Sequence, residues 1–322
     1  MKRIPMLLTI VLAMGLISVC AANAGEVVDM TGRTIHVPDK IDRIVSPYRI
    51  ATKMILALGM EDKLVGISTR PSPVAALLFP NLEKAGIADR HSSVEEILSM
   101  SPDIVFTSPG PLVENLEKTG IAVFCIIVEN PDTMIRGLGL IAEVLGRTER
   151  AEAISTFYQE KMDYIKAQTA GIKEKKRVYI VGARLLTTVG GDFYQDHIIR
   201  LAGGINVSHD LKGGWASVNR EHLAAWNPQV MVTIPYYSPG LPEEILSDKG
   251  LGLIDAVQNR QIFTFPSYID SWDLPSPESI LGIMWLANTL YPEQISFDMN
   301  AEARGFYTRF YGTYPIEIAL EK

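Results

Sequence analysis

From Glu26 onward, short apolar runs alternate with stretches in which apolar residues recur every three or four positions. That alternation predicts an α/β protein with mostly parallel sheets. The segment VVDMTGRTIHVP predicts a hairpin turning at Thr31-Gly32. Strands are expected near 43–46, 64–67, 104–107 and 122–128, with helices near 51–58, 94–100, 112–119 and 131–145. The pattern resumes with strands near 178–182, 230–234 and 262–265 and helices near 194–201, 220–226 and 277–290. Residues 148–171 carry good helix formers without an internal Gly or Pro until Gly171, and Ala151, Ile154, Tyr158 and Ile165 fall on one face. This stretch predicts one long helix between two lobes.

One motif occurs twice. VEEILSMSPDIVFT from Val94 and REHLAAWNPQVMVT from Arg220 each give a short helix, a Pro-marked turn and a buried strand. Glu95 aligns with Glu221, Ile97 with Leu223, Pro102 with Pro228 and Thr107 with Thr233. A single long-period repeat predicts two similar lobes rather than a solenoid.

Lys2 and Arg3 precede an apolar run from Met6 to Val19, and Ala22-Asn23-Ala24 has the small-x-small pattern of a cleavage site. Residues 1–24 therefore read as a secretory signal, since the run is shorter than the roughly 20 residues that span a bilayer. Cys20 raises lipid attachment as the lesser alternative, disfavoured by Val19 before it. The expected divisions are a signal peptide at 1–24, an N-terminal lobe at 25–146, a linking helix at 147–171 and a C-terminal lobe at 172–322.

With 47% hydrophobic and 21% charged residues in 322, the chain has the composition of a globular protein with a sizeable core. Lys2 and Arg3 are the only charges of the leader, so its loss takes the net charge from −7 to −9. That charge argues against nucleic acid as a partner. Cys125, in an apolar run, is the one cysteine outside the leader, so no internal disulfide is expected.

The opening DMTGRTIHVPDKIDRIVSP, the paired Glu motifs, LAGGINV from Leu201 and the ending WDLPSPESILGIMWLANTLYP followed by FYTRFYG resemble a known family. It comprises the periplasmic substrate-binding proteins of ABC importers for iron chelates, haem and cobalamin, and the likeness covers essentially the whole mature chain. The resemblance implies two lobes joined by one long helix with a cleft between them, and because one continuous helix resists bending, only modest closure on binding is expected. It also implies that Glu95 and Glu221 dock onto arginines of an inner-membrane permease served by a cytoplasmic ATPase. Read locally, either glutamate also suits a helix's first turn, and Ser93 with Glu96 has capping-box spacing. The expected role is capture of an iron chelate (siderophore or haem) by a periplasmic monomer without an intrinsic cofactor. Cobalamin and molybdate or tungstate are alternative ligands, and a ligand sensor docking on a membrane receptor is the alternative class.

Ligands in open α/β sheets bind beyond the carboxyl ends of the strands. That rule selects Tyr48, Arg49, Arg70, Ser108, Arg184, Tyr236, Tyr237, Tyr268 and Trp272. Arginines among aromatic residues suit a flat, partly anionic ligand. Trp215, after Gly213-Gly214, is either an aromatic lid or a core residue. His36, His91, His197, His209 and His222 form no tight pair, which disfavours a bare-ion site; Tyr236, Tyr237 or His209 remain candidate ligands to chelated iron. The sequence has no Gly-x-Ser-x-Gly elbow, Walker loop or His-Glu-x-x-His motif, so a binding protein rather than an enzyme is expected.

Overall fold

A computed structural model describes residues 25–236 and 240–312. The hairpin forms as expected: β1 (Glu26–Val28) and β2 (Thr34–His36) pair antiparallel. Its turn is held by the buried Asp29 carboxylate, which accepts from the backbone N–H of Thr31 and Arg33 at 2.9 and 3.1 Å. Gly32 sits at φ +86°, a conformation that only glycine adopts without strain.

The first lobe is a parallel five-stranded sheet of β3 (Ile44–Ser46), β4 (Leu64–Ile67), β5 (Gly86–Ile87), β6 (Ile104–Thr107) and β7 (Ala122–Cys125). Their spatial order is β5-β4-β3-β6-β7. Residues on both faces of β3 and β6 are buried, as uninterrupted apolar runs require. Around the sheet lie α1 (Arg49–Ala57), α2 (Pro73–Leu78), α3 (Val94–Ser99), α4 (Pro111–Glu117) and α5 (Pro131–Leu145). The capping box Ser93/Glu96 closes the start of α3, and Asn130 with Thr133 does the same for α5.

Next comes α6 (Thr148–Thr169), whose 22 residues span about 33 Å at 1.5 Å each. Ala151, Ile154, Tyr158, Met162 and Ile165 form its buried stripe.

The second lobe contains β8 (Arg177–Val181), β9 (Thr187–Val189), α7 (Tyr194–Leu201), β10 (Ile205–Asn206) and β11 (Trp215–Ser217). It continues through α8 (Arg220–Trp226), β12 (Val230–Thr233), α9 (Leu241–Ser247), α10 (Asp255–Gln258), β13 (Ile262–Thr264), α11 (Ser279–Leu290) and α12 (Met299–Tyr311). Its parallel sheet runs β10-β8-β12-β13, and β9 with β11 forms a separate antiparallel ribbon. Strand for strand, β10-β8-β12-β13 repeats β4-β3-β6-β7 of the first lobe.

The final helix departs from the expected division. α12 turns back from the second lobe toward the first, where Tyr311 meets Phe79 with ring centroids 5.9 Å apart. Phe306 and Phe310 pack on Phe157 of α6, and Arg150 at the start of α6 donates to the carbonyls of Phe310 and Ala57. An aromatic face this rich must find apolar partners, and α12 finds them across the seam. One apolar core therefore runs through both lobes, with smaller clusters on the outer faces of the two sheets. Gly282 lets α11 approach the chain at Trp272, where a Cβ would lie 2.3 Å from the Trp272 carbonyl oxygen.

Candidate functional site

β3 and β4 both end at the seam, and the segments following them supply most of a cavity of about 160 Å³. Arg49 and Lys53, one turn apart on the buried helix α1, share the face that borders it. Ser68, Thr69, Arg70 and Ser72 follow β4 and line another side. Ile269 and Asp270, after β13, close it from the second lobe. Larger concavities lie along the outer face of α12 (about 610 Å³) and at the start of α6 (about 700 Å³), neither between the lobes.

The lobes are tied together across this cavity. Arg49 grips Asp270 through two N–H groups, with Nε donating to Oδ2 at 2.9 Å and Nη2 donating to Oδ1. Lys53 Nζ lies 3.0 Å from Oδ2. The Ser72 hydroxyl donates to the Ile269 carbonyl at 2.9 Å and caps α2 by accepting from the Ala75 N–H. Burial alone would raise the Asp270 carboxyl, but Lys53 and Arg49 outweigh it and hold it below the usual carboxylate range. Lys53 is 6% exposed, and Asp270 is the carboxylate that pairs with it at that depth.

Of the residues selected from sequence, the cavity brings together Arg49 and Arg70. Tyr236 joins them indirectly, the Arg49 guanidinium lying 4.9 Å from its ring centroid. Tyr48 is the N-cap of α1, its ring half-buried and its phenol pushed up by burial. Ser108 follows β6 and is half-buried, and Arg184 is exposed on a turn closed by Thr187; neither lines the cavity. Tyr237 lies outside the described residues.

Two selected residues turn out to be core. Trp272 is completely buried and donates from Nε1 to Tyr307 Oη at 2.8 Å; Tyr268 is 4% exposed, its ring 4.5 Å from that of Tyr307. The loop carrying them folds inward beneath α11 and α12, which removes both rings from the cleft wall. Trp215 is held in β11, packed edge-on to Phe193 at 5.4 Å and lying over Gly182. His209 hydrogen-bonds through Nδ1 to the buried Asp196 carboxylate at 2.9 Å. Among the described residues no group of three or more His, Cys, Asp or Glu could hold a metal ion.

Sequence reasoning missed Lys53 and Asp270. Each carried a signal: Lys53 interrupts the apolar run ATKMILAL four residues after Arg49, and Asp270 is the carboxylate nearest the aromatics that drew attention to its loop.

Beside the seam lies a second polar cluster. Glu278, the buried N-cap of α11, accepts hydrogen bonds from Tyr311 at 3.0 Å and Tyr307 at 3.4 Å. Burial pushes its carboxyl up to about 7, with Lys53 countering only part of the effect. Asp273, equally buried, is also raised despite hydrogen bonds from Ser271 and Gln195.

The two aligned glutamates occupy matching places. Glu95 lies in the first turn of α3 and Glu221 in that of α8, and both are exposed.

The family model for periplasmic binding proteins matches residues 44–269. The chain belongs to this family: it is a periplasmic solute-binding protein, not an enzyme, and it carries a transported ligand in place of an intrinsic cofactor. It is 26% identical over 320 residues to the molybdate-binding protein MolA of Haemophilus influenzae, covering 89% of this chain and 91% of that one. The structure of MolA with molybdate superposes with a TM-score of 0.83 at 24% identity, over 91% of this chain and 99% of that one. A vitamin B12-binding protein of Yersinia pestis is 25% identical over 197 residues, 59% of this chain and 69% of the relative. No helix among the described residues is long and apolar enough to cross a membrane.

Proposed function

We propose that this protein, the periplasmic solute-binding component of an ABC importer, carries a small tetrahedral oxyanion of the molybdate and tungstate kind. The single observation behind the reading is the seam cavity, where three cationic side chains and four hydroxyl-bearing ones surround about 160 Å³. Pockets that bury drug-sized ligands run from roughly 300 to 1,000 Å³, so a siderophore, haem or cobalamin exceeds this space. With Tyr268 and Trp272 in the core, the aromatic wall that an iron chelate calls for loses two of the rings selected from the sequence. Positive charge gathered at one seam of an acidic protein also favours an anion. The likeness to a molybdate-binding relative points the same way.

Delivery uses Glu95 and Glu221, two exposed carboxylates on similar helices of the two lobes, as a two-point contact with basic groups of the permease. Titration calorimetry with molybdate, tungstate, sulfate, a ferric siderophore, haem and cobalamin tests the ligand. Binding of molybdate or tungstate is expected, and uptake of a ferric chelate or cobalamin with no oxyanion heat would refute the reading. Glu95→Ala combined with Glu221→Ala is expected to abolish transport while leaving ligand affinity unchanged.

A further inference from the structure

The cations at the seam already face an anion belonging to the chain itself. We infer that Asp270 is a specificity-determining residue, an internal competitor that lowers the positive charge of the pocket and with it the preference for the more highly charged of two anions of like shape. The inference rests on the oxyanion reading above.

Asp270 is held from its own lobe, where the Ser271 N–H donates to Oδ1 at 2.9 Å, while its oxygens reach across the seam to Arg49 and Lys53. It is 8% exposed and borders the same cavity as the cations it contacts. Of the five N–H donors of Arg49 it engages two, and the ammonium of Lys53 keeps further protons for another acceptor. Three cations, Arg49, Lys53 and Arg70, against one carboxylate leave the pocket two positive charges. A dianion is neutralised there.

Coulomb energy is linear in the ligand's charge, so a fixed carboxylate penalises a dianion twice as much as a monoanion of the same shape. Asp270 thereby lowers affinity for every anion, and most for the highly charged ones. When the ligand leaves toward the permease, the same carboxylate compensates Arg49 and Lys53, so release does not strand the buried Lys53 ammonium.

Tungstate and perrhenate separate charge from shape, being tetrahedral oxyanions with two charges and one. Calorimetry at fixed ionic strength compares the mature protein with Asp270→Asn, and with Asp270→Ser should the amide variant fail to fold, each checked by circular dichroism. Removing the carboxylate is expected to tighten tungstate roughly 100-fold and perrhenate roughly tenfold. Asp270→Glu, which keeps the charge, is expected to stay within a few-fold of the parent. Weaker or unchanged tungstate binding in the neutral variants, or an equal gain for both anions, would overturn the inference while leaving the oxyanion reading intact. If the parent binds no oxyanion at all, the reading falls and takes this inference with it.

Discussion

The two lobes are built alike at one end of their sheets and differently at the other. At the amino ends of β3 and β8, Arg43 and Arg177 do the same work. The Arg43 guanidinium donates to the carbonyls of Met100 and Ser101, and that of Arg177 to the carbonyl of Asn227. Asp103 accepts from the Arg43 N–H at 2.8 Å, and Gln229, its counterpart, accepts from the Arg177 N–H at 3.1 Å. Even the residues before the repeat prolines agree, Ser101 at φ +49° and Asn227 at φ +41°. At the carboxyl ends the likeness stops: the first lobe presents Arg49, Lys53 and Arg70, and the second answers with Asp270. Both lobes also carry an exposed glutamate in the first turn of the repeated helix. The inner ends meet around a single cavity, and there the lobes diverge.

The sharpest way to break this comparison is to remove an arginine from each lobe's inner end. Arg49→Ala is expected to weaken oxyanion binding on the order of 1,000-fold, about 4 kcal/mol, because it leaves Asp270 and the ligand without their shared cation. Arg184→Ala, an exposed arginine after β8, is expected to stay within about threefold. Equal losses by calorimetry would mean that both lobes contribute cations to the ligand.

The buried carboxyls sharpen the comparison in stability, since Glu278 and Asp273 both belong to the second lobe. Folded Glu278 keeps its proton to about pH 7, whereas an unfolded glutamate releases it near 4.5. The folded state then binds more protons across this window, so its stability falls as pH rises from about 4.5 to about 7. The change is on the order of 3 kcal/mol. Urea unfolding at several pH values should show the slope, and Glu278→Gln should flatten most of it; an unaltered slope would assign it to other groups.

The smallest effect concerns the left-handed turns. Asn227 is tied to Asp255, its Nδ2 donating to Oδ1 at 2.9 Å while its Oδ1 accepts from the Asp255 N–H at 2.8 Å. Asn227→Gly is expected to cost about 1–2 kcal/mol through those lost bonds. Ser101→Gly relieves a strained φ and is expected to leave stability unchanged or slightly raised. Similar losses from both, measured by urea unfolding, would show that the turns are equivalent in energy as well as in shape.

Much of this architecture was legible along the chain. The α5, α7 and α8 boundaries follow directly from Asn130-Pro131, from Tyr194 to Leu201 and from Asn219, because caps and periodicity are local. The ribbon of β9 and β11 and the helix α12 were not foreseen. A three-residue strand has too short a pattern, and the apolar face of α12 acquires meaning only against Phe79 and Phe157. In the site, Arg49 and Arg70 were found because they directly follow predicted strands. Tyr268 and Trp272 follow one as well, yet fold inward, and no rule of position separates the two outcomes.

What the sequence determined by itself is therefore the repeated unit, the long helix between its two copies and the matching glutamates. All of these are fixed by periodicity and spacing within a few turns of chain. What only the tertiary structure decided is the seam, where Arg49 and Asp270, 221 residues apart, meet around one cavity. Which loops converge depends on how α6, α11 and α12 pack through a shared core, a collective balance of burial that no local pattern encodes.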